Sequence, residues 1–207
     1  SAMSFRPVLR LAAVAASALW IGQAAAQDTA ILSATPRFHP VVAENGMVAS
    51  QEALATLVGV DVLRSGGNAV DAGVAVAFAL AVTLPRAGNI GGGGFMVRGA
   101  ADGTVGTFDG RETAPAGATP EWFFNEDGTL PPRGESVRSG LSVGVPGSIA
   151  LAAKAHAAHG TLAWAELFEP AIRLAREGFD MNARLNGMLE SARNRSAHTA
   201  EARALFF

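Results

Sequence analysis

Between Asn68 and Pro85 lies a stretch, Ala72 to Leu84, that is apolar on every face and broken only by Gly73. Asn68 offers a side-chain oxygen as N-cap, and Asp71 stands three residues on, where a carboxylate reaches back to the N-cap amide. Pro85 cannot continue a helix and closes it. A helix without a polar face has to be enclosed. At about thirteen residues it is too short to span a bilayer, so it belongs in a protein core, and its neighbours must supply layers that cover it.

The flanking segments read as such layers. Gly46 to Ser50 predicts a short strand entering a helix, with Ser50 as N-cap and Glu52 in the first turn facing the positive end of the dipole. Gly66-Gly67 suits a left-handed stop, and Leu54, Leu57, Val58 and Val62 recur at helical spacing, which predicts a half-buried helix. Beyond Pro85, Gly91-Gly92-Gly93-Gly94 leads into Phe95-Met96-Val97, and Ala101-Asp102-Gly103 separates that run from Val105-Gly106-Thr107-Phe108, the pattern of a β-hairpin. Pro146 suits a first helical turn, and Ile149 to His159 reads as a helix ended by Gly160. A further helix is expected from Trp164 to Glu177, stopped by Gly178, with Pro170 as a kink or a boundary between two pieces. The class is α+β, and no internal repeat is present.

Composition narrows the function. The 207 residues carry a net charge of -2 with both signs dispersed, which leaves no basic stripe for nucleic acid. The absence of cysteine excludes a disulfide framework, a thiol nucleophile and a cysteine zinc site. At the N-terminus, Ser1 and Ala2 read as a cloning scar before Met3. Arg6 and Arg10, the apolar run Leu11 to Ile21 and Ala24-Ala25-Ala26 then have the three parts of a secretory signal. Residues 1–26 are accordingly assigned to scar and signal peptide, 27–45 to an extended lead-in, and the remainder to the folded domain. A cleaved signal implies a periplasmic or secreted protein without stable membrane insertion.

Several motifs invite a site. The four-glycine run is not followed by Gly-Lys-Ser/Thr or by a helix on which a phosphate could sit, so nucleotide binding is not expected. Gly140-Leu141-Ser142-Val143-Gly144 matches the form of a nucleophile elbow, but the polar Ser136-Val137-Arg138-Ser139 precedes it where a hydrophobic strand is required. His156 and His159 are three apart without a carboxylate in the same turn, which suits solvated histidines near a helix C-terminus better than metal ligands. Asp109-Gly110-Arg111-Glu112-Thr113-Ala114-Pro115 places an arginine directly after a strand. Its planar fork suits a carboxylate ligand, and on position alone an ion pair with Glu112 or Asp109 is an equal alternative.

Six blocks, taken in order, resemble the large subunit of the γ-glutamyltransferases. They are Gly46-Met47-Val48-Ala49-Ser50, Leu63 to Ala72, Ile90 to Met96, Arg111-Glu112-Thr113-Ala114-Pro115, Gly144-Val145-Pro146-Gly147, and Leu167 to Phe179. The resemblance implies an N-terminal nucleophile hydrolase with an αββα sandwich, represented here by part of the large subunit over residues 46–207. It implies a precursor that cleaves itself before a threonine, whose amine and hydroxyl become base and nucleophile, and an acyl-enzyme that passes its γ-glutamyl group to water, an amino acid or a peptide. The partner implied is the small subunit of the same precursor, and no metal or organic cofactor is needed. No catalytic residue is assigned in this chain, since the family's threonine lies in the small subunit, beyond Phe207. Only Arg111 maps onto a substrate-binding residue of the family. A related β-lactam side-chain acylase shares most of these blocks, and a noncatalytic γ-glutamyl-binding remnant is the alternative outside enzymology.

The signal assignment has a direct check. Export removes residues up to Ala26, so N-terminal sequencing of the exported protein should begin at Gln27, and exported protein that begins at Met3 contradicts it.

Overall fold

The computed structural model describes residues 40–193 and 199–207. The signal assignment and most of the lead-in fall outside them. The chain divides into two units, 1–44 and 45–207. Residues 40–44, the described part of the first, carry no helix or strand, and the fold below is that of the second.

Helix α1 (Ala53–Arg64) starts two residues later than Ser50 would place it. Its N-cap is Glu52, whose carboxylate accepts from Ala55 N at 3.0 Å. Ser50 instead bonds outward from the cap, donating to Glu52 O at 2.8 Å and meeting Thr56 Oγ1 at 2.8 Å. The longer acid reaches the third amide and also brings its charge to the positive end of the helix dipole. Residues 46–50 form no strand, contrary to the sequence expectation. The buried stripe of α1 is Ala55, Gly59 and Val62, while Leu57 faces out. Small residues win the contact because they let the axis of the next helix come close. Gly66, with φ 91°, ends α1 as its sequence suggests.

Helix α2 (Ala69–Thr83) is the centre of the unit. Asn68 accepts from Val70 N and Asp71 N, and Asp71 accepts from Asn68 N at 2.9 Å, completing the expected capping box. Helix α1, helix α4 (Ser148–His159) and helix α5 (Glu169–Glu177) pack on it. Enclosure is nevertheless incomplete. Ala69, Gly73 and Ala77 form a stripe four residues apart that is exposed, because none of the described segments lies over it. Opposite that stripe, Val70, Val74, Ala75 and Phe78 join Ala152, Ala155, Leu167 and Ala171 in the core. Phe78 lies 4.2 Å from Phe168 and 6.2 Å from Trp164 between ring centroids, which seats the 3₁₀ turn Trp164–Leu167 and α5 on α2. Pro170 falls at the start of α5, so it marks a boundary and not a kink.

The hairpin is as its turn signals require. Strand β1 (Gly94–Gly99) pairs antiparallel with β2 (Val105–Gly110), with Gly94 opposite Gly110 and Met96 opposite Phe108. Met96 and Phe108 point to the helical core. On the other face Phe95, Val97 and Val105 are exposed, so one side of this ribbon is covered by α4 and the other is bare. Short helices follow the hairpin: α3 (Arg133–Arg138) and, after α5, α6 (Ala183–Arg193) and α7 (Ala200–Phe206).

One buried charge ties these layers together. The Asp71 side chain is 0% exposed, and besides Asn68 N it accepts from Thr161 N at 3.1 Å and from the Thr161 hydroxyl. Asn68 Nδ2 in turn donates to His159 O at 2.6 Å. The N-terminus of α2 is thereby latched to the C-terminus of α4. Burial by itself would raise the Asp71 carboxyl, but hydrogen bonds from the Thr161 hydroxyl and the amides of Asn68, Thr161 and Leu162 outweigh it and hold the group below 3.8. His156 is part of this latch and not a solvated histidine. Its Nε2 lies 2.9 Å from Leu162 O, which can only accept, so that nitrogen carries the proton. Nε2 is also 3.7 Å from Asp71 Oδ1, and the ring packs on Trp164 at 5.1 Å.

Two outcomes follow from this packing. A carboxyl whose folded value is depressed stabilises the fold at pH values above its unfolded value, and that contribution is lost as pH falls through the folded value. In the full-length protein, urea unfolding should therefore show stability declining below about pH 4. Asp71→Asn, which turns an acceptor toward donors, should cost about 1–3 kcal/mol at neutral pH and remove that part of the acid dependence. The bare face of the hairpin predicts association of the isolated 207-residue chain. In sedimentation velocity Val97→Lys, at a residue 70% exposed, should shift the chain toward smaller species.

Candidate functional site

The last residue of β2, Gly110, lies where three separate segments cross. The Gly92 carbonyl accepts from Gly147 N at 2.9 Å and Ser148 N at 3.0 Å, which fastens the four-glycine run to the start of α4. Thr113 and Val145 exchange backbone hydrogen bonds of 3.3 and 2.8 Å, which fastens the segment after β2 to the segment before α4. The strands of main chain then touch without side chains between them. A Cβ on Gly93 would sit 2.5 Å from Gly110 O and 2.7 Å from Glu112 N, and one on Gly147 would run into Gly110 O. The four glycines thus serve close backbone approach, and no helix follows them to receive a phosphate. The run is followed at once by β1.

Arg111 emerges from this crossing. Asp109 Oδ1 accepts from Arg111 N at 2.9 Å and turns the chain out of the strand. The Arg111 side chain is 62% exposed and borders an open cleft of about 630 Å³. Across that cleft stand Trp122, Phe123 and Leu141, and Trp122 Nε1 donates to Leu141 O at 2.9 Å, which binds the two sections of that wall to one another. Arg111 Nε donates to Glu112 Oε2 at 3.1 Å, and the guanidinium carbon lies 6.0 Å from the centroid of the Phe95 ring. Of the two readings that sequence left open at Arg111, the structure shows the ion pair with Glu112. Arg111 pairs with Glu112 through Nε, while among the described residues neither Nη atom has a partner, so a two-pronged edge is left free.

The other sequence candidates separate from this place. Ser142 lies at the cleft edge but in a 3₁₀ turn, Gly140–Ser142, with no strand leading into it. Its hydroxyl donates to the Val137 and Ser139 carbonyls at 3.0 and 2.9 Å, which is a local turn bond and not an activated nucleophile. His156 is committed to the latch. His39 and His198 lie outside the described residues. A second cavity, about 550 Å³, runs between the open stripe of α2 and Phe95 and Ile149. No charged side chain lines it, so it is the uncovered side of the core and not a seat for an ionic ligand. What sequence reasoning missed is the convergence. The glycine run, the Arg-Glu-Thr-Ala-Pro block and Gly144 to Gly147 lie far apart in the chain, and the signal was the shared absence of side chains at Gly92, Gly93, Gly110 and Gly147.

Known proteins carry the same arrangement of sequence. Residues 55–207 match the model of the gamma-glutamyltranspeptidase family. The glutathione hydrolase proenzyme of Escherichia coli (strain K12) is 50% identical over 145 residues, which are 70% of this chain and 25% of that protein. The solved gamma-glutamyltranspeptidase of Helicobacter pylori superposes with a TM-score of 0.75 at 39% identity, over 82% of this chain and 48% of that one. A cephalosporin acylase from Bacillus halodurans gives 0.65 at 32% identity, over 77% and 30%. The chain spans about a quarter of the length of the curated relatives it matches. Its hairpin and covering helices are part of the αββα sandwich of an N-terminal nucleophile hydrolase, and the chain belongs to the gamma-glutamyltranspeptidase family.

Proposed function

We propose that this chain is the N-terminal part of the large subunit of an exported enzyme that hydrolyses γ-glutamyl amides such as glutathione and transfers the γ-glutamyl group to amino acids, peptides or water. The precursor cleaves itself before a threonine outside this chain. The freed threonine hydroxyl attacks the γ-carbonyl, its own amine takes the proton and returns it to the departing amine, and water or an acceptor amine then opens the ester. The small subunit of the same precursor brings that threonine. The arrangement proposed requires no metal or organic cofactor from this chain.

The observation that carries the reading is the free Nη edge of Arg111, a residue that leaves a crossing of bare backbone and lines an open cleft. Arg111 binds the α-carboxylate of the γ-glutamyl group with two parallel hydrogen bonds and so sets the distance from that carboxylate to the carbonyl under attack. The likeness to a cephalosporin acylase supports a second reading, a β-lactam side-chain acylase. The ratio of kcat/KM for a γ-glutamyl anilide to that for a β-lactam amide decides between them.

In the full-length processed enzyme, Arg111→Lys keeps the charge and loses the fork. It should weaken transition-state binding by about 2–4 kcal/mol, the range for one partner of a desolvated charge pair. A value this large requires that substrate and small subunit cover a guanidinium that this chain leaves mostly exposed, since an exposed pair contributes about 1 kcal/mol or less. The loss should appear in kcat/KM with self-cleavage intact, because the precursor peptide offers no α-carboxylate. A 4-aminobutanoyl anilide, which is the γ-glutamyl donor without its α-carboxylate, should be turned over equally by both forms. A loss shared by both donors, or failure of self-cleavage, makes Arg111 a structural residue.

A further inference from the structure

The wall of the cleft across from Arg111 belongs to a loop without a core of its own. Residues 113–145 include no fully buried side chain, yet the loop is held at two points. Thr113 and Val145 pair at its base, and farther along Trp122 Nε1 donates to Leu141 O at 2.9 Å. Turns fasten each side of that contact. Trp122 N donates to Thr119 O at 3.0 Å, and the Ser142 hydroxyl donates back to the Val137 and Ser139 carbonyls. Trp122 and Phe123 are half-buried, and Leu141 is 45% exposed. An indole whose N–H is already bonded has only apolar surface left to offer, and in this loop no core takes it up.

Charge divides the cleft. The charged side chains that line it, Arg111 and Glu112, stand on one wall, and the opposite wall carries none. A γ-glutamyl group is polar at both ends with two methylenes between, so an aromatic wall adds little to its recognition. The amine joined to it differs. The amine that leaves on acylation and the amine that attacks the acyl-enzyme meet the same carbonyl, and each step is the other reversed, so both occupy one place. We propose that Trp122, Phe123 and Leu141 form the subsite for this amine component and select amino acids or peptides with an apolar, above all aromatic, side chain beside the reacting amine. The proposal rests on the reading of the reaction given above. In the transfer step the acceptor nitrogen attacks the threonine ester and the new C–N bond forms as the C–O bond breaks. The acceptor's proton passes by way of the threonine amine to the threonine oxygen. An apolar side chain laid on the indole and Leu141 leaves water, which favours binding, whereas a charged one is desolvated with no partner on that wall. At about 630 Å³ the cleft has the size of a small-molecule site, with room for both components.

The experiment uses the full-length processed enzyme, the γ-glutamyl anilide as donor, and glycinamide, phenylalaninamide or lysinamide as acceptor. All the acceptors meet the same acyl-enzyme, and its hydrolysis to glutamate needs none of the wall. The ratio of transfer product to glutamate at one acceptor concentration therefore reads the amine subsite apart from donor binding. In the parent, phenylalaninamide should exceed glycinamide in that ratio by about tenfold or more, the span that an apolar group commands in a pocket. Trp122→Ala should lower the phenylalaninamide ratio about tenfold and change that of glycinamide less than about twofold. Leu141→Asp leaves in place the carbonyl that Trp122 meets, and its carboxylate should lower transfer to phenylalaninamide and raise transfer to lysinamide. If Trp122→Ala does not mature, Leu141→Asp decides. Equal losses on glycinamide and phenylalaninamide, or a preference that survives both substitutions, would overturn the proposal. Failure of self-cleavage in both variants also overturns it, since the wall is then an interface with the small subunit. If the anilide is turned over without any preference for phenylalaninamide, only the role of the wall falls. If the anilide is not turned over by the parent, the reading of the reaction falls and the wall with it.

Discussion

A buried carboxylate orders this structure. Asp71 sits at the first turn of a helix that has almost no other polar group, and a charge taken out of water must be satisfied by hydrogen bonds or it destabilises the fold. Its partners are the N-cap amide of its own helix, Asn68 N, and the Thr161 backbone and hydroxyl just past α4. That requirement fixes the end of α4 against the start of α2. The other end of α4 then delivers Gly147 N and Ser148 N to the Gly92 carbonyl, and Gly92 heads the strand that pairs with β2. The location of Arg111 is therefore linked through α4 to a carboxylate in a different part of the core.

The site is built by exclusion of side chains. At Gly93 and Gly147 an added Cβ would have to displace the Gly110 main chain, and at Gly110 it would run into the Leu151 side chain. Such a crossing deforms little. An arginine that leaves it starts from a fixed Cα, and the remaining uncertainty is in its own torsions, which Glu112 and the Phe95 ring restrict. Firm backbone and an exposed charged tip suit recognition of a small anionic group whose distance to a reacting atom has to be constant.

The surfaces left bare are as ordered as those that are covered. The stripe Ala69, Gly73 and Ala77 on α2 and the outer face of the hairpin, with Phe95, Val97 and Val105, are apolar and exposed. Layers of a sandwich have this character before their counterparts are laid on them, since each face is apolar for the sake of what packs there. Small residues on α2 admit a close neighbour, and the β-branched residues of the hairpin suit a facing sheet.

The sequence by itself determined whatever depends on neighbours along the chain. The capping box at Asn68 and Asp71, the glycine stop at Gly66 and the hairpin between Val97 and Val105 follow from local hydrogen bonding and fixed torsions, and the order of the six blocks gave the family. Local rules also misled where distant packing decided. Leu57 follows the apolar period of α1, yet Ala55 and Gly59 carry the contact because close approach to α2 favours small residues, and Glu52 replaced Ser50 as cap because its longer side chain reaches the third amide. Only the tertiary structure turned His156 inward to the Leu162 carbonyl, gave Asp71 its partner some ninety residues away, and brought Gly92, Arg111 and Gly147 to one point. These contacts are between residues far apart in sequence, and no local pattern encodes which of many glycines or polar groups will meet until the helices and strands have packed.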